Sequence, residues 1–238
     1  LQEALALYQR VRSPAGEAVC RQFLGMTLTA LGALDRGRRQ LEAGLAVAQT
    51  STMRSHVSIR LNAALARNRL DAGDIAAARH CSEQGLALAE LHQRCICNAS
   101  LACVAAASFA FTGDVRRAEE LAAWANELAG QLTSPLFRCM AGQAGAMVAA
   151  LQDHWSLAFE QLDVARAQAE RHGFPYELAR VHLARSFVHL QRAAVGDRLA
   201  ATQLAGAAGR QLLRLGARAA VAQTRSSLRF LLDQSRRA

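Results

Sequence analysis

Between residues 80 and 103 the chain gathers its densest set of metal-type ligands: His80, Cys81, His92, Cys95, Cys97 and Cys103. Zinc sites usually place two ligands at Cys-x(2–4)-Cys spacing, in a loop or at a helix end. Cys95-Ile96-Cys97 is too short for that, and inside a helix it sends the two sulfurs to nearly opposite faces. His92 and Cys95 can share a face. These four cysteines, with Cys20 and Cys139 the six of the chain, lie in Ala-rich helical context, where a thiol behaves as a small buried hydrophobe. Packing is therefore the expected role, and no metal or cofactor is assigned. Other chemistries fail at their first requirement. A Walker loop needs a Lys to reach phosphates, and every basic residue here is Arg. There is no His-Glu-x-x-His and no Gly-x-Ser-x-Gly elbow. Trp124 and Trp155 are expected to pack, and His182 and His189, seven apart on one helix, to pack or face solvent. The chain is read as a protein that binds and does not catalyse.

What must position any binding residue is a signature recurring about every 40 residues. A turn residue stands at Gly32, Gly73, Gly113, Asp153 and Gly196. Five residues on comes Gly37, Ala78, Ala118, Ala158 or Ala201; twelve on comes Gly44, Gly85, Ala125, Ala165 or Ala208. These small residues fall on one helix face two turns apart, so a neighbouring helix can approach closely. Leu41, Leu121 and Leu162 fill the space between them. A further small residue recurs seven before the turn, at Gly25, Ala66, Ala106 and Ala146; the fifth copy departs with His189. Gly at each turn supplies the left-handed backbone that ends a helix, and Asp74, Asp114 and Asp197 suit the start of the next.

The pattern predicts helical hairpins: Pro14–Leu31 with Arg36–Gln49, Met53–Asp71 with Asp74–Leu91, Arg94–Phe111 with Asp114–Leu132, Pro135–Gln152 with Trp155–His172, and Pro175–Ala194 with Asp197–Leu215. Ser13-Pro14 and Ser134-Pro135 are helix-start signals. A last helix is expected over Arg218–Gln234, and Leu1–Arg10 reads as the second helix of a preceding hairpin, as in a piece of a longer protein. Repetition at this period means a stacked array in which each unit touches its neighbours. The expected fold is all-α, with residues 1–238 forming a single array of about five hairpins plus a terminal helix.

Composition agrees. Hydrophobic residues are 52% of the chain and aromatics only 5%, so the core must be Ala and Leu. The net charge of +9 is carried by Arg spread along the chain, densest from Arg210 to Arg237. These Arg interleave with Leu and Ala at helical spacing, the pattern of a solvated helix face. No signal peptide opens the chain and no apolar run is long enough to span a bilayer, so a cytoplasmic location with reduced thiols is expected.

Small residues at two positions of the second helix, after a Gly-Asp turn, resemble the tetratricopeptide repeat (TPR) from about Ala15 to Ala208. The units are a few residues longer than a TPR, and its usual first-helix aromatics and trailing Pro are mostly absent. The resemblance is to the longer, degenerate TPR-like arrays of bacterial signal-transduction proteins, such as MalT-type and LuxR-type activators. It implies a right-handed superhelical solenoid whose first helices line a concave face. The groove positions it implies are Gln22, Met26, Arg60, Arg67, Ser100, Cys103, Met140, Gln143, Met147 and Ser186. Arg60 and Arg67, two turns apart, could clamp a carboxylate.

The function expected from this is a non-catalytic regulatory or protein-interaction module of a signalling or transcription-regulatory protein. Its partner would be a protein segment, a neighbouring domain or an effector. One alternative is a small-molecule inducer sensor, and another is nucleic-acid binding through the Arg-rich end. Membrane association is not expected.

Overall fold

The computed structural model describes residues 1–50, 54–91, 98–222 and 224, and all regular structure among them is helical. Eleven helices follow in chain order: α1 (Gln2–Arg10), α2 (Pro14–Ala30), α3 (Leu34–Ala48), α4 (Arg54–Asp71), α5 (Ile75–Leu91), α6 (Asn98–Phe111), α7 (Val115–Gln131), α8 (Pro135–Ala150), α9 (Trp155–Arg171), α10 (Pro175–Arg192) and α11 (Asp197–Arg214). Residues 218–222 and 224 are also helical, and the rest of the expected terminal helix lies outside the described residues. Where a boundary falls on described residues, observed and expected positions agree to within a few residues; the expected starts at Met53 and Arg94 lie outside the described residues.

The chain forms two compact units, Leu1–Asp114 and Val115–Ala238. In the first, α2 packs on α3 and α4 on α5 as hairpins, α3 joins α4, and α5 joins α6. In the second, α8 packs on α9 and α10 on α11, with α7 on α8 and α9 on α10. The first helices also touch one another: α2 with α4, α4 with α6, and α8 with α10. Among the described residues, the second helices α3 and α5, or α9 and α11, share at most marginal contact. Within each unit, first helices therefore lie against one another as well as against the second helices of their hairpins.

The turns share one device. Gly32, Gly73 and Gly113 have φ of 83°, 78° and 83°, and Asp153 takes the same left-handed region at 60°. After each, a backbone N–H reaches back five residues: Ala33 to Leu28 O (2.8 Å), Asp74 to Arg69 O (2.9 Å), Asp114 to Phe109 O (3.0 Å) and His154 to Ala149 O (2.9 Å). This is the Schellman closure, which satisfies carbonyls a helix end would otherwise leave bare. It also ends α1 after Arg12, α9 after Gly173 and α11 after Gly216.

All the small positions are buried, from Gly37 and Gly44 to Ala201 and Ala208. The two helices of a hairpin meet there at backbone distance. A Cβ on Gly25 would lie 2.5 Å from Leu41 Cγ, and one on Gly37 would lie 2.9 Å from Gly25 O. Hence glycine stands at both sides of the α2–α3 crossing, and Leu41 fills the remaining space. In the second unit, Ala158, Leu162, Ala165 and Val181 do the same around α9.

The fifth hairpin is built differently. Asp74 caps α5 as expected, accepting from Ala77 N (3.2 Å). Asp197 does not cap α11 forward. Its carboxylate turns back onto the end of α10, accepting from Ala194 N (2.8 Å), Arg192 Nε (2.9 Å) and Arg192 Nη2 (2.6 Å). His189 Nδ1 lies 2.6 Å from the same carboxylate, so the residue that breaks the small-residue row serves this cluster. The nearby Arg192 and His189 hold Asp197 well below the usual carboxylate range. Phe159 lies beside His189, with ring centroids 4.8 Å apart, and under Arg192 at 4.8 Å.

Candidate binding surface

The central stretches of α4, α6 and α8 are buried nearly all round, and the interruptions in that burial mark where they reach a surface. From Val57 to Asn68 on α4, every residue is buried except Arg60 and Arg67. From Asn98 to Ala110 on α6, the one interruption is Ser100. From Cys139 to Ala150 on α8, Met140 and Met147 interrupt. Relative to the turn residue that follows each helix, these positions lie at −13 and −6. On α2 the −6 position is Met26, which is 45% exposed, and Phe23 beside it is 43% exposed. Ala and Gly elsewhere on these helices permit close neighbours, so a seam of longer or polar side chains is what remains outside.

The residues at −10 lie between the two seam positions on the same helical stripe. Gln22, Cys103 and Gln143 are buried there, as the floor of the seam. Gln22 Nε2 donates to Met26 Sδ at 3.6 Å, and its Oε1 has no hydrogen-bond partner among the described residues. Gln143 Nε2 donates to Glu177 Oε2 at 2.8 Å, tying α8 to α10. Ser186, from the divergent fifth hairpin, is turned away: its hydroxyl donates to Ala201 O on α11 at 2.9 Å.

In the first unit Arg60 lies over the Phe23 ring at 5.5 Å, bringing α4 against α2. Among the described residues Arg60 makes no ion pair. Arg67 is turned along its own helix to Asp71 (3.8 Å). The two arginines therefore do not converge as a pair: one is stacked on an aromatic ring, the other held by a carboxylate. Phe23 was not among the residues expected at this surface. Its signal was the one aromatic of α2, one turn from Met26.

Of the proposed metal ligands, His92, Cys95 and Cys97 lie outside the described residues. His80 is exposed and 3.0 Å from Gln84, and Cys103 is buried. Burial pushes the Cys81 thiol up, and pushes Cys139 up to about 11, so neither is a ready thiolate. Among the described residues, no three of His, Cys, Asp and Glu are grouped to hold a metal ion. Trp155 packs on the α8–α9 core. His182 is half-buried, and burial lowers its pKa.

Two groups the sequence left unmarked join successive hairpins. Asn68, 1% exposed, donates to Thr29 Oγ1 (2.8 Å) and Leu34 O (3.0 Å), linking α4 to the preceding pair. Ser108 and Ser82 share a hydroxyl contact at 2.9 Å, linking α6 to α5. Asn68 and Ser108 both stand five before the turn.

No helix among the described residues is long and apolar enough to cross a membrane. Compared with known proteins, the chain matches no family model and no curated relative.

Proposed function

We propose that this chain is a non-catalytic, TPR-like interaction module of a signalling or transcription-regulatory protein. Its partner is a protein segment or effector held along the seam of the first helices. The observation that carries this reading is that within residues 57–68 of α4, 98–110 of α6 and 139–150 of α8 the only partly exposed side chains stand in the −13 and −6 rows, with Met26 in the −6 row of α2 and Phe23 beside it. Side-by-side contact of α2 with α4 and α4 with α6 in the first unit, and of α8 with α10 in the second, supports a row of first helices within each unit. Such surfaces bind extended or helical segments through alternating apolar and charged contacts.

A peptide array of mixed acidic and apolar sequences tests this. Each hit is retested against Phe23→Ala and Arg60→Ala, both partly exposed and expected to leave the helices intact. At least a tenfold loss of affinity in either variant supports the seam. Hits indifferent to both, or no hits, remove it.

A further inference from the structure

Gln22 carries an amide that the fold leaves half used. The residue is 5% exposed, and its Oε1 has no hydrogen-bond partner among the described residues. Its Nε2 donates to the Met26 thioether at 3.6 Å, and a thioether is a weak acceptor. A buried amide matched this poorly costs stability, so it calls for a reason. Gln143 shows that the same row can be satisfied from within: its Nε2 donates to the Glu177 carboxylate at 2.8 Å.

Other buried acceptors without a partner among the described residues stand elsewhere. Asn62 Oδ1 and Gln161 Oε1 belong to side chains packed between the helices of a hairpin. A Cβ on Gly85 of α5 would come within 3.2 Å of Asn62 Cβ, and Gln161 Oε1 lies against Gly145 of α8. The Gln22 amide instead touches Met26, which is exposed on the seam. The next residue, Phe23, is also exposed, with Arg60 over its ring. Methionine is unbranched and turns easily. A swing of this one side chain, at the cost of one weak N–H···S bond, opens the amide to whatever lies in the seam.

We infer that Gln22 reads the main chain of the bound segment, its Oε1 accepting the N–H and its Nε2 donating to the C=O of one extended residue. This rests on the seam reading and narrows it. A helical segment has already spent those backbone groups on itself. An extended residue presents its N–H and C=O on one side, as in the paired bonds of antiparallel strands. Binding then exchanges a thioether for a carbonyl at Nε2 and supplies Oε1 with the donor it lacks.

The probes are the array peptides that lose affinity with Phe23→Ala or Arg60→Ala. Each is remade with an ester in place of one peptide bond at a time, which removes one N–H with little change of shape. One position is expected at which the ester costs roughly tenfold against the natural chain but less than about twofold against Gln22→Met. Gln22→Met, similar in length and volume, is also expected to raise the denaturation midpoint of the free chain, because it removes a poorly matched buried amide and keeps the packing. A lowered midpoint would make the amide structural and overturn the inference. So would ester losses that are equal in both proteins, or absent, while Phe23→Ala and Arg60→Ala still weaken binding; that result leaves the seam standing and strikes this reading of Gln22 alone. An array with no peptide sensitive to Phe23→Ala or Arg60→Ala strikes the seam, and this inference with it.

Discussion

Gly37 and Gly130 both interrupt helices, and their surroundings assign them opposite roles. A Cβ on Gly37 would meet Thr29 Oγ1 at 2.7 Å, Gly25 O at 2.9 Å and Asn68 Nδ2 at 3.2 Å. Two of these belong to a buried hydrogen-bonded group, and the third is backbone, so nothing flexible can give way. Gly130, in α7, has nothing within 4 Å of where a Cβ would stand. Helix propensity favours Ala over Gly by about 1 kcal/mol in both places, but overpacking costs roughly 1–3 kcal/mol. Gly37→Ala is therefore expected to destabilise the chain and Gly130→Ala to stabilise it by up to about 1 kcal/mol, read from chemical denaturation of each. The difference was legible in the sequence, because Gly37 falls on the +5 position of the repeat and Gly130 on none. What the sequence did not disclose was Asn68. A polar residue in an apolar row looks like an accident until the carbonyl it serves, Leu34 O, is seen 3.0 Å away.

Element boundaries were legible because the turns are chemical: Gly or Asp in the left-handed region, and Ser-Pro at the starts of α2 and α8. Both serines accept as N-caps, from Gly16 N at 3.4 Å and Phe137 N at 3.5 Å. The junction of α10 and α11 was misread for a physical reason. Gly196-Asp197 has the same letters as Gly73-Asp74, but α10 ends early at Ala193, itself left-handed at φ 53°, and Asp197 becomes the first residue of α11. Its side chain, 3% exposed, then faces Arg192 and His189 in place of a helix start. Asp197→Asn keeps the shape and removes the charge. A hydrogen bond to a charged group is worth roughly 1.5–3 kcal/mol, so a loss of about 2 kcal/mol at neutral pH is expected. The sign of the pH dependence follows from the lowered pKa. The ionised form stabilises the fold fully above the ordinary value of 3.8, and that contribution is lost as pH falls below it. Denaturation of both proteins from pH 7 downward should show the gap constant to about pH 4 and narrowing below. A gap independent of pH would mean that the loss is steric.

At the level of the whole chain, each helix contacts elements close to it in sequence, and every hydrogen bond between hairpins described above joins neighbours. Stability in such an architecture is close to a sum of local terms, so damage should stay local. Asn68→Ala supplies a contained injury. It strips Leu34 O of its buried donor and removes the link to Thr29, for an expected cost of about 1–3 kcal/mol. The helices that lose support are α2, α3 and α4, all in the Leu1–Asp114 unit. Native-state hydrogen exchange should show their amides exchanging faster by a factor matching that cost, roughly five- to a hundredfold, since 1.4 kcal/mol is about tenfold. Amides of α10 and α11, held by Asp197, should exchange as before. Asp197→Asn should produce the converse, faster exchange in α10 and α11 and none in α2 to α4. Equal acceleration at both ends by either substitution would show one cooperative core, and the nearest-neighbour description would then be wrong even though the described helices stand where the repeat predicts.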